Sequence, residues 1–363
     1  MNLKELLSAM VSLNASDLHI HLNMPPSVRI RGDLHPMEGY PPISDENIQS
    51  FLNEFFRPGM AERFAANEEI DTSFGVAGVG RFRINIYRQR GTIAIAIRRV
   101  GLNIPNFEEL CLPPAVEYLT QFTRGLVLVT GMTGTGKSTT LASMIGHINA
   151  TRRCHIVTLE DPIEYLHHNK SSIVSQREIG QDTINFSSAL RSVLRQDPDV
   201  ILIGELRDAD TIKVALSAAE TGHLVLSTLH TTNATQTIER ILEYFNPDMR
   251  TIIRQQLATH LRGVVSQLLL PRLDTATMIP AVEVMLMNPL INKKILEAKY
   301  GVIKSIMHHS TNEGMQTFDQ HLVALYNAGL VSFDAARAQS SNPDSFHLFC
   351  RGFFPDIIQD MEG

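Results

Sequence analysis

Cysteine is scarce in this chain of 363 residues: Cys111, Cys154 and Cys350 lie far apart, and none belongs to a CxxC pair. Reduced thiols fit this usage better than a disulfide framework or a structural zinc site. Also missing is any apolar run near the ~18 residues that a membrane-spanning helix requires. The opening MNLKELLSAMVSLNASDLHIHL has one lysine, no unbroken apolar stretch and no small-residue cleavage site, so a signal peptide is not expected. Nor is there a basic excess. Lys and Arg number 32 against 38 Asp and Glu, a net charge of −6, which argues against wholesale nucleic-acid binding. The chain is expected to be cytoplasmic, with any membrane association made through a partner.

What is present is ordinary for a folded protein: 44% apolar and 19% charged residues exclude a largely disordered or fibrous chain. The length suits two domains or three, and a chain of this size buries enough surface to need no staple.

The first hundred residues read as a small α+β domain. Leu3, Leu6, Leu7, Met10 and Val11 fall at helical spacing, and Leu18–Leu22 and Val28–Ile30 read as strands. Turns are expected at Pro25–Pro26 and Gly32–Asp33. A helix from Asp45 to Phe56 has Ser44 as its N-cap, with Pro58–Gly59 beyond its end. From Gly80, alternation of Phe82, Ile84 and Ile86 with Arg83 and Asn85 predicts a strand, and Thr92–Ile97 completes a hairpin. A linker follows over residues 101–114, marked by Gly101, Pro105, Pro113 and Pro114.

Beyond it, Leu126–Thr130, His155–Leu159, Val200–Ile203 and Leu224–Thr228 are short apolar runs separated by helical patterns. Buried parallel strands with helices on both faces look like this. An α/β core is expected over 115–270. A mainly helical extension over 271–363 ends in a tail carrying Phe346, Phe349, Phe353 and Phe354, for which core packing is the simplest reading.

The strongest local signal is GMTGTGKS, Gly131 to Ser138, directly after one strand and before a helical stretch, Thr139–Ile148. This is the context that confirms a phosphate-binding loop. Thr133, Gly134, Thr135, Gly136 and Thr139 would line ATP phosphates. Lys137 would reach the β- and γ-phosphates, and the Ser138 hydroxyl would join a Mg²⁺ shell.

Glu160 and Asp161 close the next strand, where ligand sites of open α/β sheets gather. One could hold Mg²⁺, directly or through water, while the other polarises an attacking water. RQDPDVILIGELRD then ends an apolar strand in Glu205, where a water-orienting base is needed. Gly204 stands where many phosphate-loop ATPases have a metal-binding aspartate, so the metal shell must be completed differently, with Glu160 or Glu205 acting through water as the candidates. His223 and His230 flank the last run, and either could sense a γ-phosphate or hydrogen-bond within the core. Arginines gather at 81, 83, 88, 90, 98 and 99. A finger supplied in trans is worth about 10³–10⁵ in rate in related NTPases, and Arg83 and Arg98 are the candidates.

These strand-end segments, in this order, resemble the secretion-superfamily ATPases, RecA-like hexameric motors. SDLHIHLNMPPSVRIRGDL, GRFRINIYRQR, LRQDPDVILIGELRD, AETGHLVLSTLHTTNA and GMQTFDQHLVALYNAGLVS are similar to segments of the PilT/PilU group of type IV pilus retraction ATPases. The resemblance implies a PAS-like N-terminal domain, residues 1–100, before a RecA-like ATPase domain. It further implies a cytoplasmic homohexamer at the pilus base that works under an inner-membrane platform protein, with no nucleic acid. It places Lys137 and Ser138 on nucleotide and metal, Glu160 and Glu205 in catalysis, His223 and His230 in the His-box, and Arg83 and Arg98 as fingers.

NPLINKKILEAK, Asn288–Lys299, lacks the Ala-Ile-Arg core of PilT proteins. SIMHHSTNEGMQTFDQ and the Arg98–Arg99 pair are closer to PilU, so an accessory module acting on a paralogous ATPase is the alternative. An assembly ATPase would have a longer N-terminal region and a four-cysteine insert. A DNA translocase would need a basic groove with aromatics.

Overall fold

The computed structural model describes residues 1–354 apart from 31, 102 and 276. The end of the expected C-terminal extension, 355–363, thus lies outside the described residues. The chain divides into two compact units. Met1–Asn103 with Pro162–Leu166 form one; Ile104–Asp161 and the described residues from His167 onward form the other.

The first unit is built on an antiparallel sheet of six strands: β1 (Asp17–His21), β2 (Ser27–Ile30), β3 (Asp33–Pro36), β4 (Ile70–Val76), β5 (Gly80–Gln89) and β6 (Thr92–Arg99), in the order β3-β2-β1-β6-β5-β4. Alternation drives it: Phe82, Ile84 and Ile86 point into the core with Ile95 and Ile97, against the apolar faces of helices Leu3–Ser12 and Asp45–Phe55. The Ser44 cap forms as expected. Its hydroxyl accepts from Asn47 N, while the Asn47 side chain accepts from Ser44 N, both at 3.2 Å. The segment 162–166 joins this unit through Leu166 N, which donates to the Gly101 carbonyl at 3.3 Å.

The second unit holds seven strands: β7 (Gly125–Thr130), β8 (His155–Glu160), β9 (Ile173–Glu178), β10 (Val200–Ile203), β11 (Leu224–Leu229), β12 (Leu261–Pro271) and β13 (Met278–Leu286). Their order is β13-β12-β7-β11-β10-β8-β9. All pairings are parallel except β12 with β13. Every residue of β7, β10 and β11 is buried, which explains their largely apolar sequences.

The extension after Pro271 opens with a strand, β13, paired with β12, and its other described elements are helices. MIPAVEVML is apolar but for Glu283, with Pro280 near its start, and it pairs with β12 from Gly263↔Leu286 to Pro271↔Met278. The helices Pro289–Leu296, Ile303–His309, Phe318–Asn327 and Phe333–Gln339 follow. Phe346 and Phe349 are buried in a small cluster with Leu270, Ile279 and Leu322, whereas Phe353 is exposed.

Candidate active site

The parallel strands bring their carboxyl ends to one edge. β7 runs into the loop 131–136, and helix Lys137–Thr151 begins immediately after it with Gly136 as N-cap. Glu160 ends β8, Glu205 lies just beyond β10, and His230 directly follows β11. Because β11 lies between β7 and β10, His230 stands between the glycine loop and Glu205 in strand order.

The glycines are needed for close approach. Gly131 has φ +148°, and a Cβ there would lie 2.4 Å from the Gln267 carbonyl oxygen and 2.5 Å from Thr135 Oγ1. Gly136 has φ +85°, and its Cβ would meet Gln267 Nε2 at 3.2 Å. Lys137 is buried, and its Nζ donates to the carbonyls of Gly131 and Met132 at 2.8 and 2.9 Å. Ser138, Thr133 and Gly134 are exposed, and Thr135 and Thr139 half-buried.

Glu205 is held from two sides. Its Oε1 lies 3.2 Å from His230 Nε2, and its Oε2 accepts from Arg207 Nε at 2.7 Å. Arg207 also lies 3.7 Å from Asp161. The hydrogen bond to Glu205 raises the Arg207 pKa above its ordinary value, so Arg207 stays charged. Glu160 accepts from Thr158 Oγ1 at 2.7 Å and from Gln176 Nε2 at 3.1 Å. Gly204 has a steric reason for being glycine. Its N–H donates to the Leu159 carbonyl at 2.7 Å, and a Cβ would come 3.3 Å from that oxygen. The backbone therefore leaves little room for an aspartate. Among the described residues, no three His, Cys, Asp or Glu side chains form a closed metal cluster.

His223 is placed apart from these residues. It precedes β11, with its Nδ1 3.0 Å from the Ala218 carbonyl and its own carbonyl accepting from Gly125 N. Gly125 begins β7 and Gly131 follows its end, which separates the two by about 20 Å along the strand. Arg83 and Arg98 belong to the first unit, opposite each other in the β5–β6 register. With Asp17, Asp71 and Asn85 they line a cavity of about 260 Å³. Arg98 Nε donates to Asp17 Oδ1 at 2.8 Å. Burial alone would raise the Asp17 pKa, but the hydrogen bonds from Arg98 and Ser16 lower it below the usual value.

The sequence reading missed three residues. Arg207 was visible as a cation two positions after Glu205. Gln267 and Glu283 had no local signal, because β12 and β13 bring them to the site from far along the chain. A second cavity of about 700 Å³ is lined by Gly131, Met132 and Thr135 together with Gln267, Glu283 and Lys304. Burial raises the Glu283 pKa to about 7 although Ala234 N donates to it.

A parallel sheet carrying a glycine loop, with acidic residues at its strand ends, defines a RecA-like phosphate-loop ATPase. Within that class, the chain belongs to the family described as Type II/IV secretion system protein, whose model matches residues 94–327. It is 40% identical to the type IV pilus retraction ATPase PilT of Pseudomonas aeruginosa over 95% of this chain and 100% of that protein. It is also 40% identical to the type IV pilus ATPase PilU of the same organism, over 97% of this chain and 92% of that one. The crystal structure of the pilus retraction motor PilT with bound ADP superimposes with a TM-score of 0.87 at 42% identity, covering 95% of this chain and 98% of that one. The expected PilT/PilU kinship, fold class and ATPase activity thus hold. No helix among the described residues is long and apolar enough to cross a membrane.

Proposed function

We propose that this chain is the subunit of a homohexameric motor that hydrolyses ATP to drive type IV pilus retraction. The observation that carries the reading is Glu205, held by His230 and Arg207 at the sheet edge that bears the phosphate loop. The near full-length similarity to a pilus retraction ATPase supports the direction of the work.

In this reading the backbone of 133–136 and the helix N-terminus behind it receive the phosphates. Lys137 exchanges its two carbonyl partners for β- and γ-phosphate oxygens. Mg²⁺, when bound with ATP, neutralises charge on those oxygens. The fit is to its preference for oxygen donors, few of them from protein: the exposed Ser138 hydroxyl, with Glu160 and Glu205 directly or through water. Glu205 orients the attacking water, and His230 transmits the state of the γ-phosphate to it. Arg83 and Arg98 come from the first unit of a neighbouring copy. The place of His223 favours a part in its own turn over contact with nucleotide. The partners this reading requires are further copies of the chain and the platform protein at the inner membrane, the membrane being met only through that partner.

A second reading, an accessory ATPase acting on a paralogous motor, is favoured by the equal identity to PilU. Cells lacking this chain separate the two. Loss of retraction, restored by the wild type but not by Glu205→Gln, supports the independent motor. Retraction that persists without the chain, and fails only when the paralogue is weakened, supports the accessory role. Retraction indifferent to the chain in both backgrounds overturns both.

A further inference from the structure

We infer that the β12–β13 hairpin sets the phosphate loop and the His230 loop relative to each other, with Gln267 and Glu283 as its two positioning residues. The inference rests on the ATPase reading of Glu205 and His230 but concerns residues that do not touch substrate.

Gln267 and Glu283 are neighbours on paired strands, with Ser266 opposite Glu283 and Gln267 opposite Val282. Both are buried, 2% and 5% exposed. Gln267 holds the loop through its Nε2, which donates to the Thr135 carbonyl, while its carbonyl oxygen and its amide fill the space that a Cβ on Gly131 or Gly136 would need. One residue earlier, Ser266 Oγ accepts from Thr130 Oγ1 at 2.8 Å, fixing the last residue of β7.

Glu283 acts on the other loop. Its Oε1 accepts from Ala234 N at 2.8 Å. Ala234 opens the helix Ala234–Glu243, whose N-cap Asn233 lies three residues after His230. A carboxylate at a helix N-terminus is favoured by the dipole as well as by the hydrogen bond. The four residues from His230 to Asn233 therefore run between two fixed points, the end of β11 and Glu283.

Neither residue is what packing alone would select. A buried carboxylate is costly unless its environment compensates, and Gln267 Oε1 is buried with no hydrogen-bond partner, a cost that an apolar residue of similar size would avoid. Both face the 700 Å³ cavity that also meets Gly131 and Thr135. A hairpin that grips both loops lets a change at the phosphates reach His230 through strand pairing.

The test uses the full chain with two mild variants, Gln267→Leu and Glu283→Gln, beside Glu205→Gln. Kinetics with ATP, binding of a fluorescent ATP analogue and thermal melting are measured together. Gln267→Leu is expected to weaken nucleotide binding about 3- to 10-fold, the worth of one hydrogen bond, with kcat at saturation less affected. Glu283→Gln keeps an acceptor for Ala234 N but no charge. Its kcat is expected to fall about 3- to 10-fold with nucleotide affinity unchanged. The groups facing Glu283 are Lys304 and Asp319, with Glu239 on the same cavity wall. Because Glu283 titrates near pH 7, the kcat gap between wild type and Glu283→Gln should widen from pH 6 to pH 8. A purely structural role would leave that gap constant.

Unchanged kcat and affinity in both variants would overturn the inference, as would equal losses in both that track a lowered melting temperature. If Glu205→Gln hydrolyses ATP normally, the catalytic assignment fails instead, while the effect of Gln267→Leu on nucleotide affinity is still read directly.

Discussion

Glu205 and His230 meet at 3.2 Å, carboxylate oxygen to imidazole Nε2, while Arg207 takes the other carboxylate oxygen at 2.7 Å. A carboxylate held from both sides cannot turn freely, so the direction in which it presents an oxygen to water is set before substrate arrives. His230→Ala should lower kcat about 10- to 100-fold, the value of a hydrogen bond to a charged group, with ATP affinity little changed. Steady-state kinetics beside equilibrium nucleotide binding decide it. A parallel loss of affinity would place His230 on ground-state contacts instead.

Gly131→Ala forces a Cβ to within 2.4 Å of the Gln267 carbonyl at a φ of +148°. Strain of about 1–3 kcal/mol at such a backbone position should lower the melting temperature and abolish nucleotide binding together. Gly134→Ala, with φ +81° and no atom within 4 Å of the added carbon, should cost backbone strain without the clash and remain the more stable of the two. Melting curves with and without ATP compare them.

Asp17 holds Arg98 at 2.8 Å while 71% of the arginine side chain stays exposed. If Arg98 serves a neighbouring copy, Asp17→Asn should reduce assembled ATPase activity several-fold. The melting temperature should shift little, since Arg98 is largely exposed and the asparagine keeps an acceptor for its Nε, although Asp17 itself is buried. The lowered Asp17 pKa means that this pairing contributes above pH 3.8 and is lost as pH falls further. Activity of the assembled wild type mixed with Asp17→Asn chains would show whether the defect crosses between copies.

Glu283 gives the opposite pH dependence. Its pKa rises from an ordinary 4.5 to about 7 in the folded chain, so the folded state holds a proton that the unfolded state releases. Stability should therefore be greatest, as far as this group is concerned, below pH 4.5, and decline as pH rises to about 7. In Glu283→Gln that decline should flatten. Melting temperatures across pH 5 to 8 for both chains measure it, and identical slopes would remove Glu283 as the source.

The strands that were legible in the sequence are the paired interior ones. Leu126–Thr130 and Val200–Ile203 are apolar because both sheet faces are covered, and Phe82, Ile84 and Ile86 alternate because one face is. The four edge strands, β3, β4, β9 and β13, escaped, and so did the interior β12. Asp33–Pro36 is exposed throughout, so it has no apolar pattern to read. β13 is buried on both faces but for Met278, and Pro280 and Glu283 interrupt the apolar pattern by which it would be read as a strand. The phosphate loop, Glu160, Glu205 and His230 were legible because strand, motif and strand end are adjacent in sequence. The separation of His223 from them was not, because both histidines flank the same apolar run and only the direction of the strand tells its ends apart. Gln267 and Glu283 depend on pairings that bring Gln267 against Thr135, 132 positions earlier, and Glu283 against Ala234, 49 earlier.

The central claim is that Glu205 activates water for ATP hydrolysis. The most direct measurement is steady-state ATPase activity of the purified chain beside Glu205→Gln, with nucleotide binding and oligomer size determined on the same samples. The account predicts a wild-type hexamer that hydrolyses ATP, and a variant that binds ATP and assembles equally well with turnover reduced about 10²- to 10⁴-fold. Near-normal hydrolysis by Glu205→Gln would contradict it.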